Sequence, residues 1–248
     1  MKYSLIIPAH NEAEVIAATL TLLAEAFVSH GQKNKDDSAW EIIVVDNAST
    51  DGTADVVRSI NDKRIMVVER AERGKGLAIR AGFREATGDV IGFTDADLSV
   101  APEEVVDAFY RVGRDRSHVL IGSRFHPASA MPGREWWRTG SSQVFNFFAR
   151  SIVGVSFSDT QCPLKVMNKD GHTVMCATKE DTWFFDLEFL ALVSALGLTI
   201  EETPVSWTEH RYPERKSKLT PKDSFNALIA MRRIRARHKE QLSKLRKK

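Results

Sequence analysis

Residues 90–99 read VIGFTDADLS. A short apolar run, Val90 to Phe93, stops abruptly at Thr94-Asp95-Ala96-Asp97. The run reads as a buried strand. In extended chain alternate residues share a face, so both carboxylates can project to one side. Two like charges at a strand end repel each other and resist desolvation, so a positive group is expected between them. Paired carboxylates suit Mg2+ or Mn2+, which take one or two of them and complete the shell with phosphate oxygens. A solvated turn is the plain alternative, since Asp is common in turns.

Working outward from this stretch, short apolar runs alternate with helical patterns. Strands are predicted at Tyr3–Ile7, Trp40–Val45, Arg64–Glu69, Val90–Thr94, Val119–Gly122 and Thr199–Trp207. Helices are predicted at Glu12–His30, Thr53–Asn61, Gly74–Thr87, Ala101–Gly113, Ser142–Val153, Thr182–Leu196 and Lys222–Lys248, with Gly31–Ala39 as a polar loop. Strand alternating with helix predicts an α/β fold, a mostly parallel central sheet with helices on both faces. Such sheets bind ligands at the carboxyl ends of their strands. The polar motifs fall there: Pro8–Glu12, Asp46–Thr53 and Asp95–Ser99.

The formal net charge of +2 hides an asymmetry. Residues 222–248 carry ten Lys or Arg against Asp223 and Glu240, so the body is acidic and the tail basic. A basic tail is expected to touch something anionic, either a nucleic acid or an anionic lipid surface. Cys162 and Cys176 make no disulfide framework and read as reduced thiols in the cytoplasm. No stretch is long and apolar enough for a signal peptide or a membrane span.

Further motifs carry chemistry. Asp46 is the first charged residue after an apolar strand and could accept hydrogen bonds from a base or ribose, whereas Asp51-Gly52 reads as a turn former. Lys75, flanked by Gly74 and Gly76 at a helix start, offers a cation and free N–H groups to an anion, with a solvated Lys as the alternative. Asp186 and Glu188 lie amid aromatics in TWFFDLEF, where a carboxylate has raised proton affinity and suits a general base, or else pairs with a buried cation. The basic stretch within 204–219 could close over a diphosphate.

IIPAHNE, VVDNASTDGT, RGKGLAIRAGF and FTDADLS together resemble the inverting family 2 glycosyltransferases of the GT-A fold, over about residues 3–220. GSRF, SDTQCPLKVM, TWFFDLEF and PVSWTEHRYPERKSKL are similar to the dolichyl-phosphate glucosyl- and mannosyltransferase branch, and closer to its glucosyl side. The resemblance implies a catalytic domain over 1–221, followed by the basic amphipathic helix of 222–248. It implies that Pro8, Ala9, Glu12 and Asp46 hold the nucleotide with Lys75 and Ala96, and that Asp95, Asp97 and Ser99 hold the metal and diphosphate. Arg124 and Arg138 would meet phosphate. Asp159, Lys165, Asp186 and Glu188 would line the sugar and acceptor site, and Arg211, Ser217 and Lys218 would lie over the diphosphate. Cys162-Pro163-Leu164 stands where relatives usually have Gly-Phe, and Pro213–Lys216 where they often have a short Gly-containing turn.

The implied activity is metal-dependent transfer of a hexose, UDP-glucose being the favoured donor, to a polyprenyl phosphate. GDP-mannose, or a soluble acceptor, is the alternative. The implied partner of the tail is the cytoplasmic face of an anionic membrane and not nucleic acid; nothing in the residues specifies an oligomer.

Overall fold

The computed structural model describes residues 1–114, 117–134, 136–208 and 221–247, with the side chains of 137, 138 and 221–225 left aside. Its elements run β1 (Lys2–Ala9), α1 (Ile16–Asn34), β2 (Ala39–Asn47), α2 (Thr53–Ser59), β3 (Ile65–Arg70), α3 (Lys75–Glu85), β4 (Val90–Phe93) and α4 (Pro102–Arg114). The second half runs β5 (Val119–Ser123), α5 (Trp136–Val153), β6 (Lys165–Met167), α6 (Lys169–Ala177), α7 (Phe185–Ala195), β7 (Ile200–Pro204) and α8 (Pro221–Leu245).

The strands form one sheet in the order β3-β2-β1-β4-β6-β5-β7. β6 alone runs against its neighbours β4 and β5; every other adjacent pair is parallel. The mostly parallel α/β sheet expected from the sequence is thus present. Alternation along the strands divides the core in two. Leu5, Ile7, Ile42 and Val44 pack with Leu20 and Phe27 of α1 and Phe109 of α4. Ile6, Ile43, Val45 and Phe93 pack on the other side with Ile79 of α3, Phe189 of α7 and Met231 of α8.

α7 starts at Phe185 and not at Thr182, and β7 ends at Pro204 and not at Trp207; four other elements differ further from expectation. α1 starts at Ile16, after a turn over 13–15 that follows the left-handed Asn11 (φ 55°), and it continues through part of the predicted loop until Lys35 turns left-handed at φ 50°. α5 begins six residues before the predicted Ser142, since the exposed Trp136 interrupts the amphipathic pattern but not the helix. β6 and α6 have no sequence counterpart. β6 has three residues, too few for alternation to register, and it exists because β4 and β5 flank it. α6 did carry a local signal: the Asn168 side chain accepts from Asp170 N and Gly171 N, an N-cap.

The strand entrances are stitched by a buried acid. Glu41 of β2 accepts from Ser4 Oγ (2.6 Å) and from Thr87 N and Oγ1 (both 2.9 Å), with Lys2 Nζ at 2.7 Å. Burial pushes this carboxyl up, but the bonds from Lys2, Ser4 and Thr87 outweigh it and hold it below its ordinary value. A depressed folded-state value contributes stability above the ordinary pKa of 4.5 that is lost as pH falls through the folded value. Glu41→Gln should therefore lose about 1–3 kcal/mol at pH 7, the scale for disturbing a buried hydrogen-bonded group. The gap to wild type should close on acidification, as followed by denaturant unfolding at stepped pH.

Candidate active site

Three strands, β1, β2 and β4, end side by side at one edge of the sheet. Each of the loops that follow contains a left-handed non-glycine residue: Asn11 (φ 55°), Ala48 (φ 57°) and Leu98 (φ 51°). Such residues are uncommon, and their collection at one edge marks backbone held by its surroundings. The loops are laced together. His10 Nδ1 lies 2.9 Å from Asn47 O, Asn11 N donates to Ser49 Oγ (3.0 Å), and Glu12 N donates to Thr53 Oγ1 (2.9 Å). Asp51 accepts from Ala13 N (3.0 Å) and from Thr53 N (3.0 Å), the turn-forming role expected of it. Asp46 is buried and accepts from Ser49 N (3.0 Å), while Asn47 Oδ1 accepts from Gly74 N (2.8 Å) and so ties β2 to the start of α3. Pro8 and Ala9 close β1, and the Glu12 carbonyl receives Val15 N (3.0 Å) and Ile16 N (2.9 Å) at the start of α1.

The carboxylate pair lies at the centre. Lys75, the first residue of α3, places Nζ 2.6 Å from Asp95 Oδ1 with its side chain only 10% exposed. The cation expected beside the acids is therefore partly supplied by the chain, and the solvated reading of Lys75 does not hold. Burial pulls the Lys75 ammonium down, but Asp95 and Asp186 outweigh it and hold it above its ordinary value. Asp97 Oδ1 accepts from Ser99 Oγ (2.9 Å) and Ser99 N (3.1 Å), so Ser99 supports Asp97. Burial, and then the Asp95 charge, push the Asp97 carboxyl up, against the Ser99 bonds and Lys75. A hydrogen-bonded, crowded carboxylate of this kind fits a divalent cation, which would offset its charge. Among the described residues no three His, Cys, Asp or Glu side chains converge on one point, so phosphate and water would complete such a shell. Ala96 contributes backbone only: its side chain is buried and its carbonyl accepts from Thr19 Oγ1 (2.6 Å).

Behind Lys75 the charges continue inward. Asp186, in the first turn of α7, has Lys165 Nζ 3.1 Å from Oδ1. Lys165 is fully buried, donates to Cys162 O (2.6 Å), and lies 5.7 Å from the Phe93 ring. Burial pushes Asp186 up, opposed by Lys165 and Lys75. Asp159 and Arg124 form a bidentate pair, Nε–Oδ2 2.6 Å and Nη2–Oδ1 2.8 Å, reinforced by Arg124 N at 3.0 Å. Burial raises Asp159, but the Arg124 charge and hydrogen bonds outweigh it and hold the carboxyl low. Asp159, expected among the catalytic acids, is fully buried and engages both oxygens with Arg124 and Gln161 N.

Glu188, also expected among the catalytic acids, likewise has protein partners. Two residues apart on a helix are about 200° apart, and Glu188 faces away from Asp186. Its Oε2 accepts from Lys179 N and Glu180 N (both 2.7 Å) and its Oε1 from Gln241 Nε2 (2.8 Å). It is a buried tether between segments. Two aromatic residues that the sequence did not single out belong to the site: Trp183, its ring 5.0 Å from Lys75 Nζ, and Trp207, 4.9 Å from the Arg124 guanidinium. Trp183 follows the charges at 179–181 by two residues and Trp207 precedes Glu209 by two, and a single Trp beside a charged run carries no periodic signal. Arg211, Ser217 and Lys218 lie outside the described residues, as does the side chain of Arg138, whose backbone belongs to α5.

The whole arrangement resembles known enzymes. A dolichyl-phosphate beta-glucosyltransferase of Drosophila melanogaster is 31% identical over 238 residues, covering 89% of this chain and 70% of its own. One from Saccharomyces cerevisiae is 32% identical over 228 residues, covering 83% and 66%. The chain thus spans about two thirds of the length of these relatives. Among solved structures, glucosyl-3-phosphoglycerate synthase of Mycobacterium tuberculosis, in complex with Mn2+, uridine diphosphate and glucosyl-3-phosphoglycerate, superposes with a TM-score of 0.64 at 18% identity, over 98% of this chain and 79% of that one. Mannosyl-3-phosphoglycerate synthase of Rubrobacter xylanophilus gives 0.67 at 17%, over 98% and 76%. These likenesses show the fold. The family model described as glycosyl transferase family 2 matches residues 4–173, and with its sheet, its strand-end acids and these relatives the chain belongs to glycosyl transferase family 2, a family of glycosyltransferase enzymes.

Proposed function

We propose that this enzyme transfers glucose from UDP-glucose, with inversion, to a polyprenyl phosphate of the dolichyl type at a membrane surface. The observation that carries the reading is the strand-end cluster of Asp95, Asp97, Lys75 and Asp186, taken with relatives named dolichyl-phosphate beta-glucosyltransferase. Asp46 would receive the base or ribose of the donor. Asp95 and Asp97, with Ser99 bracing Asp97, would hold Mg2+ or Mn2+; bound there, the cation would offset the charge of the departing diphosphate. Lys75 adds a cation fixed at the same edge, and Arg211 and Lys218 are assigned to the diphosphate.

An acceptor of this kind would need no general base. A phosphate is already an anion, so it needs positioning and not deprotonation. Arg124, fixed by Asp159 and flanked by Trp207, is the assigned positioner, and Arg138 of α5 is the second arginine assigned to phosphate. Asp186, paired with Lys165, is assigned to the sugar hydroxyls.

No described helix is long and apolar enough to cross a membrane. α8 buries Ala227, Ala230, Met231 and Ile234 in the core and leaves Arg232, Arg235, Lys239, Lys244 and Arg246 outward. α5 packs beside it and exposes Val144 (57%), Phe147 (64%) and Phe148 (46%). Arg235 Nη1 bonds Ile152 O at 3.0 Å, which joins the basic face to the apolar one. An apolar strip beside cations suits an anionic lipid interface.

Asp97→Asn should abolish metal-dependent thermal stabilisation by UDP and lower kcat/KM by about 100-fold or more, the scale for losing one preorganised charge contact. A donor panel including GDP-mannose, in the same thermal assay, decides the nucleotide; a shift with GDP-mannose alone would replace UDP-glucose in this reading. Phe147→Ser with Phe148→Ser should reduce cosedimentation with phosphatidylglycerol vesicles while leaving UDP-induced stabilisation intact. Binding by the unsubstituted chain should weaken as salt rises.

A further inference from the structure

Residues 178–184 join α6 to α7 without regular structure and form the wall behind Lys75. Gly74, at the cap position of α3, offers no side-chain cap, and the second N–H of the helix, that of Gly76, donates to Asp181 O at 3.0 Å. Glu180 O approaches so closely that a Cβ at Gly76 would overlap it, and it accepts from Arg80 Nη1 at 2.7 Å. Trp183, from the same segment, is the aromatic face beside the Lys75 ammonium. The position of Lys75 therefore depends on where this irregular segment lies.

The segment is held from its far side by α8. The Glu180 carboxylate is 1% exposed and receives Arg233 in a bidentate pair, Nε–Oε2 3.0 Å and Nη2–Oε1 2.5 Å. Thr182 Oγ1 also donates to Glu180 (2.7 Å). Gln241, two turns further along, donates to Glu188 Oε1 (2.8 Å), the carboxylate that gathers Lys179 N and Glu180 N, and to Ala177 O (3.3 Å). Each contact is polar, buried at one end or both, and specific in direction. Apolar packing of α8 alone would need neither.

We infer that α8 is part of the donor-site framework: Arg233 and Gln241 are positioning residues that clamp segment 178–184, through Glu180 and Glu188, against the N-terminus of α3 and so set Lys75 beside Asp95. Without Arg233 the Glu180 carboxylate is left buried with a hydroxyl for partner, so the segment must move toward water or take up a proton. A shift of about 1 Å at a charge that faces the donor is enough to cost rate. The clamp is a property of the fold; that its loosening is felt by UDP-glucose rests on the function proposed above.

The test compares Arg233→Met, Arg233→Lys and Gln241→Leu with Met231→Ala, a control that thins the α8 core without touching the clamp. All are made in the full chain. Hydrogen exchange of the ligand-free protein is read on the peptides covering 74–84 and 178–185, and kcat and KM are read with UDP-glucose and a polyprenyl phosphate. Arg233→Met should speed exchange in both peptides and lower kcat/KM about tenfold beyond Met231→Ala, Arg233→Lys should recover most of the loss, and Gln241→Leu should shift the same peptides if Arg233→Met is too unstable to purify. Exchange and kcat/KM in the clamp variants no different from Met231→Ala would overturn the inference. A wild-type chain that neither binds UDP nor transfers glucose would refute the proposed function instead, and the exchange at 74–84 would still decide the clamp.

Discussion

The organisation of this enzyme follows from a single electrostatic problem, the placing of two carboxylates, Asp95 and Asp97, at the end of a buried strand. Charge at that position is opposed by desolvation and by mutual repulsion. The fold meets it with Lys75 against Asp95 and Ser99 against Asp97. Because Lys75 opens α3, the helix must begin at one particular place beside the sheet, and Asn47 of β2 receives the N–H of Gly74 to set it there. Asp186, Lys165 and the Cys162 carbonyl extend the pattern inward, so that each buried charge faces an opposite one or a carbonyl.

That compensation is incomplete. Asp97 and Asp186 both sit above their ordinary values, with burial the largest cause in each. Perturbed carboxylates cluster at working sites, as well as occurring in structural ion networks, and left-handed residues in the three surrounding loops favour the first of these. The acids with full compensation are elsewhere in role: Asp159 binds Arg124, Glu180 binds Arg233, and Glu188 binds backbone. The same residue type thus serves as a charge presented to a ligand or as a fastening, and the count of donors around each carboxylate separates the two.

In the sequence, the alternating apolar runs and the punctuation at Pro8, Asp46 and Thr94 were sufficient to read the parallel half of the sheet and the edge where polar groups gather. β6 was not legible, since three residues carry no period, and α6 went unread although Asn168 marks its start. Of the candidate site, Asp95, Asp97 and Asp46 stood out by position at strand ends, whereas Lys75 read equally as a solvated cation until its contact with Asp95 was seen. Trp183 and Trp207 were not, because their part in the site depends on which charge they happen to face.

What the sequence determined by itself was the set of charges and the strand ends they follow, because apolar periodicity and chain direction are local properties. What only the tertiary structure decided was the pairing of those charges. Asp186 and Glu188 are two residues apart in one motif, yet one turns toward Lys165 and Lys75 and the other toward α8. The basic C-terminal stretch likewise read as an amphipathic helix for an anionic surface, while the fold also turns Arg233 and Gln241 onto the buried carboxylates of Glu180 and Glu188 and packs its apolar side on the core. An ionisable side chain takes its role from the dielectric and the opposite charges around it. Those are brought together by segments more than 100 residues apart, as in Lys75 and Asp186, and no local pattern encodes them.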